Sequence, residues 1–287
     1  MNFKLLALIY LLASNLAFSQ TDENTSPANK STHKPSSHKH TATKATLSNA
    51  KPPSKTTMDF FNAVLAGNFE IAELLLKQGA DINCGNCNDF GATPLMAGTQ
   101  NLVNANLPID TVIWLVNHRA DIDKQDKQGN TPLMQAARFA TFVYADGNSA
   151  LNYLLKNGAN PGIRNHEGLN TLHFLAKSAP VPIGAGGYYL EATKNWNEIY
   201  EIAVRNVIAA GAKINETASD GITPLLIASE KCNPDVIKLF LSLGADATVK
   251  TNKGETPFSL ALSMAASNRL KACNEVVEIL KINGNHQ

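Results

Sequence analysis

Five stretches of this chain are variations on one phrase: GATPLMAG, GNTPLMQAA, GLNTLHFLA, GITPLLIAS and GETPFSLAL, opening at Gly91, Gly129, Gly168, Gly221 and Gly254. A second phrase, of the type Gly-Ala-Asp-Ile-Asn, alternates with it and begins at Gly79, Arg119, Gly158, Gly211, Gly244 and Gly284. A chain that repeats itself every few tens of residues does not close around one central core. Each unit is too small to bury its own apolar face and must bury it against its neighbours, so the chain stacks in one dimension.

The phrases have a local physical reading. Threonine offers a hydroxyl to the free N–H groups at a helix start, and proline, which has no N–H to satisfy, suits the first helical position. Thr93-Pro94, Thr131-Pro132, Thr223-Pro224 and Thr256-Pro257 therefore start helices, with Asn170-Thr171 as the variant. Each short helix carries Leu and Ala, as at Leu133, Ala136 and Ala137. A second helix with a wider apolar face follows, in IAELLLKQ, VIWLVNH, LNYLLKN and VIKLFLSL. A glycine closes it, as a left-handed C-cap requires. The polar segment before the next threonine, with a glycine near its tip, reads as an extended turn or hairpin.

This pattern resembles the ankyrin repeat family, whose unit of roughly 33 residues pairs a turn with two antiparallel helices and carries a T-P-L-H-x-A signature. Five units match it, and a sixth, MDFFNAVLAGNFEIAELLLKQGADIN, precedes them without the Thr-Pro, as a capping repeat would. The resemblance implies an all-α solenoid of about six repeats, near 56–84, 89–123, 127–162, 166–215, 219–248 and 252–287. Within it, the signature histidine occurs only at His173, where Met96, Met134, Leu226 and Ser259 stand in the other units. Hydrogen bonding between neighbouring turns is expected to be weaker where it is missing.

Spacing then separates the units. From the cap residue to the closing glycine is 21 residues in the Thr223 unit, but 26, 27, 41 and 28 in the Thr93, Thr131, Asn170 and Thr256 units. All the surplus falls between the two helices, where it is expected to lengthen the first helices and build a rim opposite the turn tips. The longest insert carries Tyr188, Tyr189 and Trp196. These rings either cover their own outer helix, with Phe139, Phe142 and Tyr144 beside them in one aromatic patch, or face a partner, since Tyr and Trp are frequent interface anchors.

Cys84 and Cys87 form a C-x-x-C on the one turn that is two residues longer than the rest, 14 against 12 from closing glycine to cap. No helix starts there to lower a thiol pKa, and the other cysteines lie several repeats away, too far for a shared zinc. In an oxidising compartment the reading is a local Cys84–Cys87 disulfide, with free thiols or a redox role as alternatives. Cys232, in the inter-helix turn where the family usually has glycine, and Cys273, at the end of the next unit's insert, are expected to tie the last repeat to its neighbour. Two inert buried thiols are the alternative.

The chain opens with Lys4, an apolar run from Leu5 to Ala13 and Ala17-Phe18-Ser19, the pattern of a signal peptide ending at residue 19. Residues 20–55 are rich in Ser, Thr, Lys, Pro and His and read as a disordered linker, leaving 56–287 as the repeat domain. The basic charge sits at that end: residues 58–287 hold 18 basic and 22 acidic side chains, which does not suit nucleic acid. An exported protein, periplasmic or secreted, is expected, with no membrane insertion after cleavage.

No catalytic motif or cofactor-binding loop stands in the sequence, so neither an enzyme nor a cofactor is expected. His118, His166 and His173 are single residues in separate units. The family resemblance places partner binding on the turn tips and first helices. By position the tip residues are Asp89, Phe90, Lys127, Gln128, His166, Glu167, Ser219, Asp220, Asn252 and Lys253, with Phe90 as the apolar anchor. The expected function is an exported protein-binding module, with an immunity or accessory role in the cell envelope. The alternative is metal or cofactor handling by His33, His38 and His40 of the linker together with Cys84 and Cys87.

Overall fold

The capped proline begins each regular unit, and the geometry follows from it. Thr93, Thr131, Thr223 and Thr256 each accept, through Oγ1, the backbone N–H three residues on, at 3.1 to 3.3 Å. Asn170 does the same with Oδ1 toward Leu172 and His173, while its own N–H donates back to His173 Nδ1 at 3.2 Å, a reciprocal box.

The computed structural model describes residues 52–104, 109–140, 147–179, 196–268 and 271–284, which lie in one compact unit, 52–287. They form twelve helices in six consecutive pairs: α1 (Lys55–Leu65) and α2 (Phe69–Lys77), α3 (Pro94–Asn104) and α4 (Asp110–Asn117), α5 (Pro132–Arg138) and α6 (Gly147–Lys156), α7 (Thr171–Ser178) and α8 (Trp196–Ala209), α9 (Pro224–Glu230) and α10 (Pro234–Ser242), α11 (Pro257–Asn268) and α12 (Lys271–Asn283). The first helices α1, α3, α5, α7, α9 and α11 lie one on the next, and α6 packs on α8 and α10 on α12 behind them. No strand occurs among the described residues. The segments read as an extended turn or hairpin are tight turns.

The second helices end as their sequence requires. Gly244 closes α10 at φ 87°, a left-handed conformation that costs glycine little, and Arg119 is held in the same region at φ 64° after α4. In the turn between α9 and α10, Cys232 takes φ 53° where the first unit has Gly67 at φ 71°.

One apolar cluster runs the length of the stack, from Phe60 to Leu280. Four units add a leucine at the second residue of their first helix, fully buried at Leu133 and Leu172, and the last has Phe258 there; truncating such a leucine to alanine costs about 3 kcal/mol. Tyr200 of α8 is buried with its hydroxyl donating to the Leu175 carbonyl at 3.0 Å, pinning α8 to α7.

The inserts lengthen only two of the first helices. α3 and α11 have 11 and 12 residues against seven in α9, whereas α5 and α7 keep seven and eight. At α7 the reason is local: Pro180 follows, and Ala179 before it is already extended at ψ 132°. Phe142, Tyr144, Tyr188 and Tyr189 lie outside the described residues, as does the chain before Pro52, and Trp196 is the first residue of α8.

Candidate functional site

Four of the five turn tips are each shaped by one side chain. Asn88, Asp126, Asn165 and Thr251 place an oxygen so that it accepts the backbone N–H groups two and four residues on, at 2.8 to 3.3 Å. This is the hydrogen-bonded turn that Asn and Asp favour and Thr makes more weakly. The fourth tip has Ala218 there and is held by backbone bonds, from Ala218 N–H to the Ile222 carbonyl at 2.7 Å and from Gly221 N–H to the Ala218 carbonyl at 3.0 Å.

The tips are then joined to one another. Lys127 N–H donates to the Phe90 carbonyl at 3.3 Å, His166 to Gln128 at 3.0 Å, Ser219 to Glu167 at 3.1 Å and Asn252 to Asp220 at 2.9 Å. All these residues were singled out in the sequence, and the structure brings them together as successive rungs of one ladder. Asp89 adds its carbonyl, which accepts from Lys127 Nζ at 3.0 Å, and Lys253 closes the last tip, its N–H donating to Thr251 Oγ1 at 3.3 Å. Glycine is required between rungs: at Gly168, with φ 78°, a Cβ would stand 2.7 Å from the Ser219 nitrogen. The ladder engages main-chain groups and leaves the side chains projecting. Phe90, 65% exposed, is the large apolar one among them.

Behind the tips runs a second set of links. Asn83 Oδ1 accepts from Asp121 N–H at 2.7 Å, Asp123 Oδ1 from Asn160 N–H at 3.0 Å and Asn215 Oδ1 from Asp246 N–H at 2.9 Å. His173 supplies the link expected of it, Nε2 donating to the Ile222 carbonyl of the next unit at 3.1 Å. Burial pushes its pKa down to about 4, so the ring is neutral and acts as a structural donor.

Sequence reading passed over two cations on the first helices. Arg138 and Lys177 stand at the same place, six residues after Pro132 and Thr171, and both are half-buried. Burial lowers the pKa of each. Lys177 reaches Glu167 of the tip at 3.7 Å, and Arg138 Nη1 donates to Gln135 Oε1 at 3.5 Å. Aligning the units on their helix starts would have found the pair. The tips and the first helices therefore share one mixed-charge surface.

The first tip differs from the others in its base. Cys84 and Cys87 are joined in a disulfide, buried in a small satellite cluster with Phe61 and Ala97, beside Met58 and Leu65. Joined in this way they offer no thiolate pair, which removes these two residues from the metal-handling alternative. His33, His38 and His40 lie outside the described residues. Cys232 and Cys273 form the second disulfide, Cα to Cα 4.5 Å, between the α9–α10 turn and α12.

Paired helices, a capped tip and an inter-tip ladder, repeated, define an α-solenoid whose edge presents side chains on a preset main chain. Family models of ankyrin repeats match residues 60–165, as three copies, and 220–252, as one repeat. The chain belongs to the ankyrin repeat family, and its repeats make it a protein–protein interaction module. It is 31% identical over 123 residues to an ankyrin repeat protein of fowlpox virus, covering 38% of this chain and 65% of that one. It is 26% identical over 187 residues to the palmitoyltransferase AKR1 of Lachancea kluyveri, covering 58% and 24%. With the ankyrin repeat and SAM domain-containing protein 6 of Mus musculus it shares 37% identity over 116 residues, covering 40% and 12%. The chain thus spans less than two thirds of each of these relatives. Among the described residues no helix is long and apolar enough to cross a membrane.

Proposed function

We propose that the chain is an exported module that binds another protein in the cell envelope or outside the cell, through the tip edge and the first helices beside it. The observation that carries this reading is the ladder. It holds Phe90, Gln128, Glu167 and Asp220 at fixed spacing before any partner arrives, so docking orders little main chain. Phe90 is the anchor, an exposed aromatic ring on the tip that a disulfide closes at its base. The charged and polar neighbours Asp89, Lys127, His166, Glu167, Asn252 and Lys253 set register and specificity around it. An immunity or accessory role suits a binder of this kind. The signal-peptide pattern at residues 1–19 and two disulfides both suit an oxidising compartment.

Two measurements test it. Affinity capture with the chain as bait is repeated with Phe90→Asp. Loss of an anchor aromatic weakens binding by about 2 kcal/mol or more, so the partner should be depleted from the variant's eluate; equal recovery rejects the tip as the site. N-terminal sequencing of protein secreted by a bacterial host should begin at Gln20. Protein kept inside the cell with Met1 intact would reject export.

A further inference from the structure

The two ends of the stack differ from its middle in a way that points outward. In each second helix, the residue eight positions before the closing glycine (or Arg119) is buried in every unit that has a predecessor: Thr111, Ala150, Ala203, Val236 and Val276. That position therefore faces the preceding unit. In the first unit it is Ile71, 48% exposed, and three residues on Leu74 is 55% exposed.

At the other end the pattern is mirrored. The sixth residue of the first helix is fully buried at Thr99, Ala137, Ala176 and Ser229, each of which has a unit following it. In α11 it is Leu262, 49% exposed. In α12, Val277 is half-buried where its counterparts Ala72, Val112, Leu151, Val204 and Ile237 are fully buried.

A terminal repeat needs a polar outer face to stay soluble. This chain follows that rule in part. Asn62 stands at the first end where inner units bury Phe174 or Ile227, and Ser259 and Lys281 stand at the last. The aliphatic residues left open are therefore departures at particular positions.

We infer that copies of this chain associate head to tail, the Ile71–Leu74 face of one seated on the Leu262–Val277 face of the next. A second copy is the occupant because the two open faces are the backward and forward sides of one joint. The chain already makes that joint five times between its own units, and a copy brings the matching side. The contact is heterologous and does not close, so it yields a ladder of oligomers instead of a fixed dimer. It leaves the turn tips free and does not depend on what they bind.

Sedimentation velocity of the full chain over a wide concentration range tests it, with Ile71→Glu/Leu74→Glu and Leu262→Glu as variants whose folding is confirmed by circular dichroism. The parent chain should gain mass continuously with concentration. Each variant alone should associate at least about tenfold more weakly, since one side of every joint is lost. An equimolar mixture of the two should form a 1:1 pair and nothing larger, because each supplies the face the other lacks. A parent chain that stays monomeric, variants that associate like the parent, or a mixture that does not pair would overturn the inference.

Discussion

His173 shows how one residue carries both fold and pH response. Its ring donates across a repeat boundary and resists protonation, with a pKa of about 4 against an ordinary 6.5. The unfolded chain takes up a proton between those values that the folded chain does not. The contribution of this ring is thus complete above about pH 6.5 and declines as pH falls toward 4, by roughly 3 kcal/mol in all. Urea unfolding across that window, compared with His173→Asn, should show a flatter profile for the variant. A parallel pair of profiles would remove His173 from the account. At the fourth tip the reverse change should help. Ala218→Asn supplies the oxygen that the Asp126 and Asn165 tips already have, and should stabilise the chain by about 1 kcal/mol, read as a higher midpoint at unchanged slope.

Among the elements, α12 has neighbours on one side of the stack only, and the Cys232–Cys273 bridge holds it. The bridge closes a sequence separation of 41 residues, for which chain entropy gives about 4 kcal/mol. The Cys84–Cys87 loop, with a separation of three, gives about 2 kcal/mol. In Cys232→Ala/Cys273→Ala, hydrogen exchange should therefore speed up first in α11 and α12, with α3 to α8 little changed. A uniform acceleration along the chain would show that the bridge acts elsewhere. Tyr200→Phe is a second element-level case: it removes the bond from α8 to the Leu175 carbonyl, which keeps the Ser178 hydroxyl as a donor, and α8 should loosen from α7 at a cost of about 1 kcal/mol.

The whole molecule is a chain of nearest-neighbour contacts, so its cooperativity depends on its weakest joint. The third and fourth tips meet at Gly168, where a Cβ would press on Ser219. Gly168→Ala combines that clash with an unfavourable left-handed conformation. It should cost about 2 kcal/mol or more. Unfolding should then separate into two transitions, or one of reduced slope, as units on either side of the joint act independently. A single transition with unchanged slope would mean that the stack is coupled by more than adjacent contacts.

The sequence alone determined the repeat and the helix starts, because each rests on residues close together or on spacing that recurs, and it nominated the cysteine partners that the structure joins. Thr-Pro caps its helix within one turn, and glycine reports its own backbone angle. The tip residues could be nominated in the same way, one unit at a time. The tertiary structure decided what those residues do to one another. Glu167 and Ser219 share a rung although the longest insert lies between them. It also decided between turn and hairpin in favour of turns and exposed Ile71 and Leu262 at the two ends. The physical reason is common to these cases: burial and register between units belong to pairs of distant segments, and a pattern read along one segment holds only that segment's half of each contact.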